Sequence, residues 1–365
     1  MKSPLRIGEP APWFHAAALN GNPRYSFNAV AGRWILMLFA GHAAGPEAEA
    51  ALRLVSENRD LFDDRNACFF GITVDPADAE QGRIAQSLPG IRWFLDYDRS
   101  VSAAYAMCAG DDPAGGYNPC WLLLDPMQRV HARAPLSSSA EMIGFLRQLK
   151  GMPYSVPAPV LVVPGILPPE MCQRLIGLYD EHGGEESGFM REVDGETKLL
   201  LDTSHKRRAD YQIEDEALIG TLKSRLIHVL RPMVQRAFQF EATRVERWIV
   251  ARYDAAVRGF FNAHRDNTTK GTAHRKFAVT INLNADGYEG GDLCFPEFGP
   301  QTYRAPTGGA IVFSCSLLHE ARPVTKGTRY AFLPFLYDDA GAKLREENLP
   351  FVSPELRDYR SGLTQ

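Results

Sequence analysis

The sequence predicts two domains: a layered α/β domain, then a strand-rich sandwich or jelly-roll with flanking helices. Three observations predict this. Strand-like and helix-like segments alternate over residues 1–150. Eight short strand-like segments crowd the chain after residue 245. Between the halves, residues 151–159 carry three prolines in nine positions, and proline disfavours helix interiors and stiffens connections. The expected boundaries are a first domain at 1–150, a linker at 151–159, a second domain at 160–340 and a polar tail at 341–365. In a chain of 365 residues, either domain is long enough to bury a core of its own.

In the first domain, the run from Trp34 to Phe39 is a buried strand. Pro46 opens a segment rich in helix formers, a position that suits proline. The runs Cys68–Val74, Trp121–Asp125 and Gln128–Arg133 supply further strands, and Ser139–Leu149 a helix. In the second domain, Pro169–Gly184 and Asp215–Phe238 are expected helices. Strands follow at Arg247–Tyr253, Phe260–His264, Arg275–Asn284, Gly291–Pro296, Gln301–Arg304, Ala310–Ser314, His319–Val324 and Thr328–Tyr337. Short strands at this spacing suit a sandwich or jelly-roll.

Hydrophobic residues make up 45% and charged residues 23%, with a net charge of −4. That excludes a disordered chain and a strongly basic nucleic-acid binder. No apolar run approaches a membrane span, and no signal-peptide core opens the sequence. The six cysteines are scattered without a C-x-x-C pair. A cytoplasmic protein with buried thiols is expected, without membrane or nucleic-acid partners.

The sharpest chemical signal is His264-Arg-Asp266. On an extended chain, residues i and i+2 point to the same face, so an imidazole and a carboxylate can grip one metal. Alone, such a string is weak. His319 adds a second imidazole, and two histidines with one carboxylate make the facial triad of non-haem Fe(II) oxygenases. Arg329 follows ten residues later, with a guanidinium that matches a carboxylate at two points. A tight hairpin at Lys326-Gly327 would turn Arg329 away from His319. A bulge is therefore expected, with Pro323 as its cause.

These residues sit in a longer ordered set. It comprises Arg252-Tyr253, Gly259–Asn267, His274–Asn284, Tyr288–Pro296, Gly308–Phe313, Leu318–Glu320 and Pro323–Ala331. Over residues 158–338 the set resembles the 2-oxoglutarate/Fe(II) dioxygenases of the prolyl 4-hydroxylase type. The resemblance implies a double-stranded β-helix with iron at its open end. It implies His264, Asp266 and His319 as iron ligands and Arg329 as the anchor of 2-oxoglutarate, with O₂ as co-substrate and ascorbate as a reductant. Tyr253 matches a tyrosine that reaches the co-substrate. Asn282 stands where the family often has an aromatic hydroxyl, and Thr280 and Asn282 are expected to line the pocket. The implied reaction is hydroxylation of a prolyl or other amino-acid side chain in a protein or peptide, or of a small molecule.

Several nearby residues have plainer expectations. Gly290-Gly291 is a hairpin turn, and Cys294 and Cys315 are core thiols. His274 is structural or exposed. Arg322 is a solvated strand residue or a substrate contact.

Residues 5–150 resemble a peroxiredoxin-like thioredoxin fold, carried by Gly8–Phe14, Cys68–Pro76, Phe94–Tyr105 and Asn118–Pro126. Pro119 matches a cis-proline position. Peroxiredoxins place a reactive cysteine after the first core strand, where a helix N-terminus lowers its pKa. Here that stretch is Gly41-His-Ala-Ala-Gly-Pro46, without cysteine, so peroxidase activity is expected to be lost and His42 is a loop histidine. The domain is then a surface for docking a substrate or partner. The rival readings are a thiol redox protein working through Cys108 and Cys120, and a non-catalytic scaffold.

Overall fold

A computed structural model describes residues 3–108 and 116–357. The chain forms two compact units, Met1–Val156 with Pro296–Pro300, and Pro157–Phe295 with Gln301–Gln365.

The first unit is built on a seven-stranded sheet. Its centre is three parallel strands, Trp34–Gly41, Ala67–Thr73 and Ile91–Leu95. Cys120–Leu124 joins antiparallel to Trp34–Gly41, and Val130–Ala134 completes that edge. All eight residues of Trp34–Gly41 are buried. Leu36 and Leu38 enter one apolar cluster with helices Pro46–Glu57 and Ser139–Lys150, while Ile35, Met37 and Phe39 enter another on the opposite face. Burial on both faces explains why these strands are continuous hydrophobic runs without alternation. The unit has the thioredoxin-like fold. The cis peptide among the described residues is Leu88–Pro89, which corrects the expectation at Pro119. There the Asn118 N–H donates to Met107 O at 2.8 Å and the chain runs directly into the strand.

The second unit is a jelly-roll of two sheets. The larger includes Ile249–Asp254, Val324–Phe332, Phe277–Asn282 and Ala310–Ser314. The smaller runs Lys206–Arg207, Phe260–His264, His319–Ala321, Leu293–Cys294, Thr302–Tyr303. Here the strands alternate. Val250, Val279, Ile281 and Phe332 pack under the helices Pro169–His182 and Glu216–Arg225. Ile249, Ala251, Tyr253 and Ala331 join Phe261 and Ala321 of the smaller sheet in a separate cluster. This two-residue period puts Tyr253 and Arg329 on the inner face of the larger sheet.

Four sequence expectations are corrected here. The helix over Asp215–Phe238 is interrupted by a π-turn at Leu226–Leu230, just before Pro232, which lacks the N–H an α-helix needs. Residues 185–212, where no element was expected, form short strands at Glu185–Glu186, Phe189–Val193, Glu196–Leu200, Lys206–Arg207 and Ala209–Gln212. The expected tail contains a helix, Asp339–Asn348, capped by the Asp338 carboxylate on the Gly341 N–H; residues 358–365 lie outside the described residues. There is also no hairpin at Lys326-Gly327. Val324–Phe332 is one strand, and the chain passes from the smaller sheet to the larger at Arg322-Pro323. The bulge exists in another pairing, where Glu289 faces Lys326 but Gly290 faces Val324.

Candidate metal centre

Three side chains converge on the inner face of the smaller sheet. His264 ends the strand Phe260–His264 and pairs with His319, the first residue of its neighbour. Asp266 follows His264 by two positions, and its N–H donates to Cys315 O at 2.9 Å. His264 Nε2 lies 3.6 Å from Asp266 Oδ1, and His319 Nε2 lies 3.3 Å from Asp266 Oδ2. One donor atom from each of the three lies within 4.8 Å of the others.

The imidazoles are set by their other nitrogens. His264 Nδ1 lies 2.7 Å from Asn262 O, and His319 Nδ1 lies 3.0 Å from Leu317 O. A carbonyl can only accept, so each Nδ1 carries a hydrogen and each Nε2 faces the centre. Such outer contacts fix the tautomer of metal-ligating histidines. Burial pushes the His264 pKa down to about 4, with His319 beside it acting in the same direction, so His264 is a neutral imidazole near pH 7. Burial would raise the Asp266 carboxyl, but His319 and His264 outweigh it and hold Asp266 below the usual range. Phe261 stacks on His264 and Phe313 packs against His319. Two imidazole nitrogens and one carboxylate on one face are the donor set that suits Fe(II) with open positions.

The cavity beside this centre is lined by Tyr253, Thr280, Arg329, Arg208 and Arg247, among others. Arg329 is 2% exposed. Its Nη1 donates to Gly291 O at 2.8 Å and its Nε has no partner. Gly291 adopts φ +69°, and a Cβ there would meet Val324 at 2.8 Å; glycine permits both the turn and this close approach. Tyr253 faces Arg329 across the strand pair, and its oxygen accepts from Arg208 Nη1 at 3.4 Å.

The structure thus brings His264, Asp266, His319, Tyr253, Thr280 and Arg329 together. Asn282 is the exception. Its strand parity points inward, but its amide nitrogen donates to Ala305 O at 2.7 Å and it is absent from the cavity wall. His274 is structural, with Nε2 2.6 Å from Glu246 Oε2, and Arg322 is engaged by Glu320 and Cys294 rather than the cavity. Cys294 and Cys315 are buried.

Comparison with known proteins gives the family of each half. Residues 248–337 match the 2OG-Fe(II) oxygenase superfamily, and residues 7–133 match the AhpC/TSA family. The chain joins an AhpC/TSA domain to a 2OG-Fe(II) oxygenase domain. A PKHD-type hydroxylase of Verminephrobacter eiseniae is 45% identical over 80 residues, 21% of this chain and 33% of the relative. Another, from a Synechococcus species, is 29% identical over 123 residues, 31% of this chain and 54% of the relative. The chain therefore spans a third to about half the length of these relatives. A Trichoplax adhaerens prolyl hydroxylase structure is 16% identical, covering 52% of this chain and 86% of its own, with a TM-score of 0.41. A Pseudomonas putida prolyl-4-hydroxylase is also 16% identical, covering 49% and 91%, with a TM-score of 0.37. The 2OG-Fe(II) family implies Fe(II) and 2-oxoglutarate, and the donor set in the oxygenase domain suits that metal.

In the AhpC/TSA domain, the loop after Trp34–Gly41 is closed by Asp78. This buried carboxylate accepts from Ala43 N–H at 2.8 Å, Thr73 Oγ1 at 2.6 Å and Arg83 Nη1 at 2.6 Å. Cys68, Cys120, Cys172 and Cys315 are free, buried thiols. Burial raises the Cys120 thiol pKa, and Cys120 Sγ lies 3.3 Å from Met107 Sδ. Neither feature favours a reactive thiolate. Among the described residues, no helix is long and apolar enough to cross a membrane.

Sequence reasoning missed Lys206, Arg208, Asp210 and Arg247. Lys206 and Asp210 are polar residues on short strands without a clear alternation, and Arg208 sits between those strands. Arg247 sits at φ +75°, which no sequence pattern signals.

Proposed function

We propose that the second unit is an Fe(II)- and 2-oxoglutarate-dependent dioxygenase. Its substrate is a prolyl or other amino-acid side chain in a protein or peptide, or a small molecule. The observation that carries this is the convergence of His264, Asp266 and His319 with both imidazoles turned to the centre by backbone carbonyls.

His264, Asp266 and His319 would hold Fe(II) from one face and leave the opposite positions open. Bound iron supplies oxidative decarboxylation of 2-oxoglutarate to succinate and CO₂, coupled to hydroxylation by O₂. Arg329 grips the distal carboxylate of the co-substrate. A guanidinium only donates, so Arg208 engages the oxygen of Tyr253 and leaves the phenolic hydrogen to donate to a carboxylate. Phe261 and Phe313 shield the ligands from water. Thr280 lines the wall, and Asn282 is not proposed as a co-substrate contact. Ascorbate would serve as reductant. The first unit, which lacks the reactive cysteine, would dock a substrate or partner. The free thiols of Cys68, Cys120, Cys172 and Cys315 fit a cytoplasmic home.

The test is succinate release by the full chain with Fe(II), 2-oxoglutarate and O₂, with and without ascorbate. Release by the wild type and none above background from His319→Ala is expected. Equal release from both would overturn the assignment.

A further inference from the structure

The cavity beside the metal centre is more basic than one co-substrate requires. Three arginines line it, Arg208, Arg247 and Arg329, against a single lining carboxylate, Asp266. The proposed function uses Arg329 and gives Arg208 a hold on Tyr253. It gives Arg247 no task.

Arg247 is built into its place. Its backbone sits at φ +75°, a region that non-glycine residues seldom adopt and that clusters at functional sites. Its Nε donates to Leu333 O at 3.1 Å, and its guanidinium lies over the Phe335 ring at 4.5 Å. Arg329 leans the other way, to Gly291 O.

The surroundings of Arg247 also carry surplus positive charge. Lys206 and Arg208 are 3% and 7% exposed. Arg208 Nη2 lies 2.6 Å from Asp210 Oδ2, and Lys206 Nζ donates to Ser187 Oγ at 2.7 Å and to Gly188 O. Burial would raise the Asp210 carboxyl, but Arg208, Lys206 and Arg247 together bring it down. Two guanidiniums thus flank one carboxylate beside the Lys206 amine, whose pKa burial lowers well below its usual range, and Arg208 keeps a buried Nε without an acceptor. Buried charge of one sign is costly until an opposite charge joins it.

We propose that Arg247, with Arg208 beside it, forms a second anion-binding position, and that the substrate to be oxidised carries a carboxylate held there. This rests on the oxygenase reading of the same cavity. The carboxylate belongs either to a free amino acid or to an acidic residue of a peptide.

The experiment uses the full chain saturated with Mn(II) and 2-oxoglutarate, without O₂. The common L-amino acids are titrated calorimetrically as free acids and as carboxamides. Blocked peptides containing Glu or Asp are titrated beside their Gln or Asn counterparts. Acids are expected to bind at least tenfold more tightly than their amides, and the arm that responds identifies the source. Arg247→Met should weaken that binding tenfold or more and leave the Kd of 2-oxoglutarate within twofold. Arg247→Lys should restore part of it. Equal binding of acids and amides, binding of neither, or an Arg247→Met variant that loses 2-oxoglutarate instead would overturn the proposal. If the wild type binds no 2-oxoglutarate, the oxygenase reading itself has failed, and the two failures are thereby told apart.

Discussion

Two aspartates divide the molecule's chemistry between them. Asp78 in the AhpC/TSA domain is fully buried and accepts from a backbone N–H, a hydroxyl and a guanidinium. It holds the loop where a peroxiredoxin would carry its cysteine. Asp266 in the oxygenase domain faces two imidazole nitrogens at 3.3 and 3.6 Å. Asp78 is the more buried of the two and Asp266 stays partly exposed, so depth of burial does not mark the site. The partners do. Donors saturate Asp78, whereas Asp266 and the two imidazoles each turn one ligand atom toward a common point.

The largest expected effect lies on the oxygenase side of this comparison. Asp266→Asn should weaken Fe(II) binding by more than about a hundredfold, since outer-shell changes alone cost 10–100-fold. Metal titration of the two proteins checks this, and retained affinity would break the contrast. Next comes Arg329→Met. Removing a buried charge-assisted contact costs about 2 kcal/mol, a roughly thirtyfold rise in the Kd of 2-oxoglutarate, with Fe(II) binding retained. Asp78→Ala should do the reverse. It strands the buried Thr73 hydroxyl and Ala43 N–H and destabilises the first unit by about 3 kcal/mol. Denaturant unfolding would register this loss, and Fe(II) affinity should stay within twofold.

A smaller effect concerns Glu246, which binds His274 and Arg275 behind the site. Burial would raise its carboxyl, but Arg275 and His274 hold it well below the usual range. The unfolded chain therefore takes up this proton first as pH falls. The stabilisation is complete above about pH 4.5 and is lost progressively below it. Glu246→Gln should flatten that part of the stability–pH curve, measured by denaturant unfolding between pH 6 and 3.

Much of the site was legible because it depends on local spacing. His264 and Asp266 share a face at i and i+2, and His319 opens a strand that must pair nearby. Arg329 lines the cavity for a different reason from the one expected. Strand parity with Ala331 turns it inward, and no hairpin intervenes. Asn282 shows the limit of parity. It points inward but is consumed by Ala305 O, a contact across 23 residues that no local pattern encodes. Arg208 and Arg247 were invisible for the same reason, since their places depend on how distant strands meet at the cavity. In the first domain the central strands were clear as continuous apolar runs. The edge strands His15–Ala18 and Tyr25–Ser26 were too short to signal themselves.

The most direct test of the central claim is anaerobic titration of the full chain with Fe(II) and 2-oxoglutarate, followed by the visible charge-transfer band of the chelate. Wild type should develop the band and His264→Ala should not. A folded wild type without the band, or a His264→Ala variant that keeps it, would contradict the assignment of this triad as the metal centre.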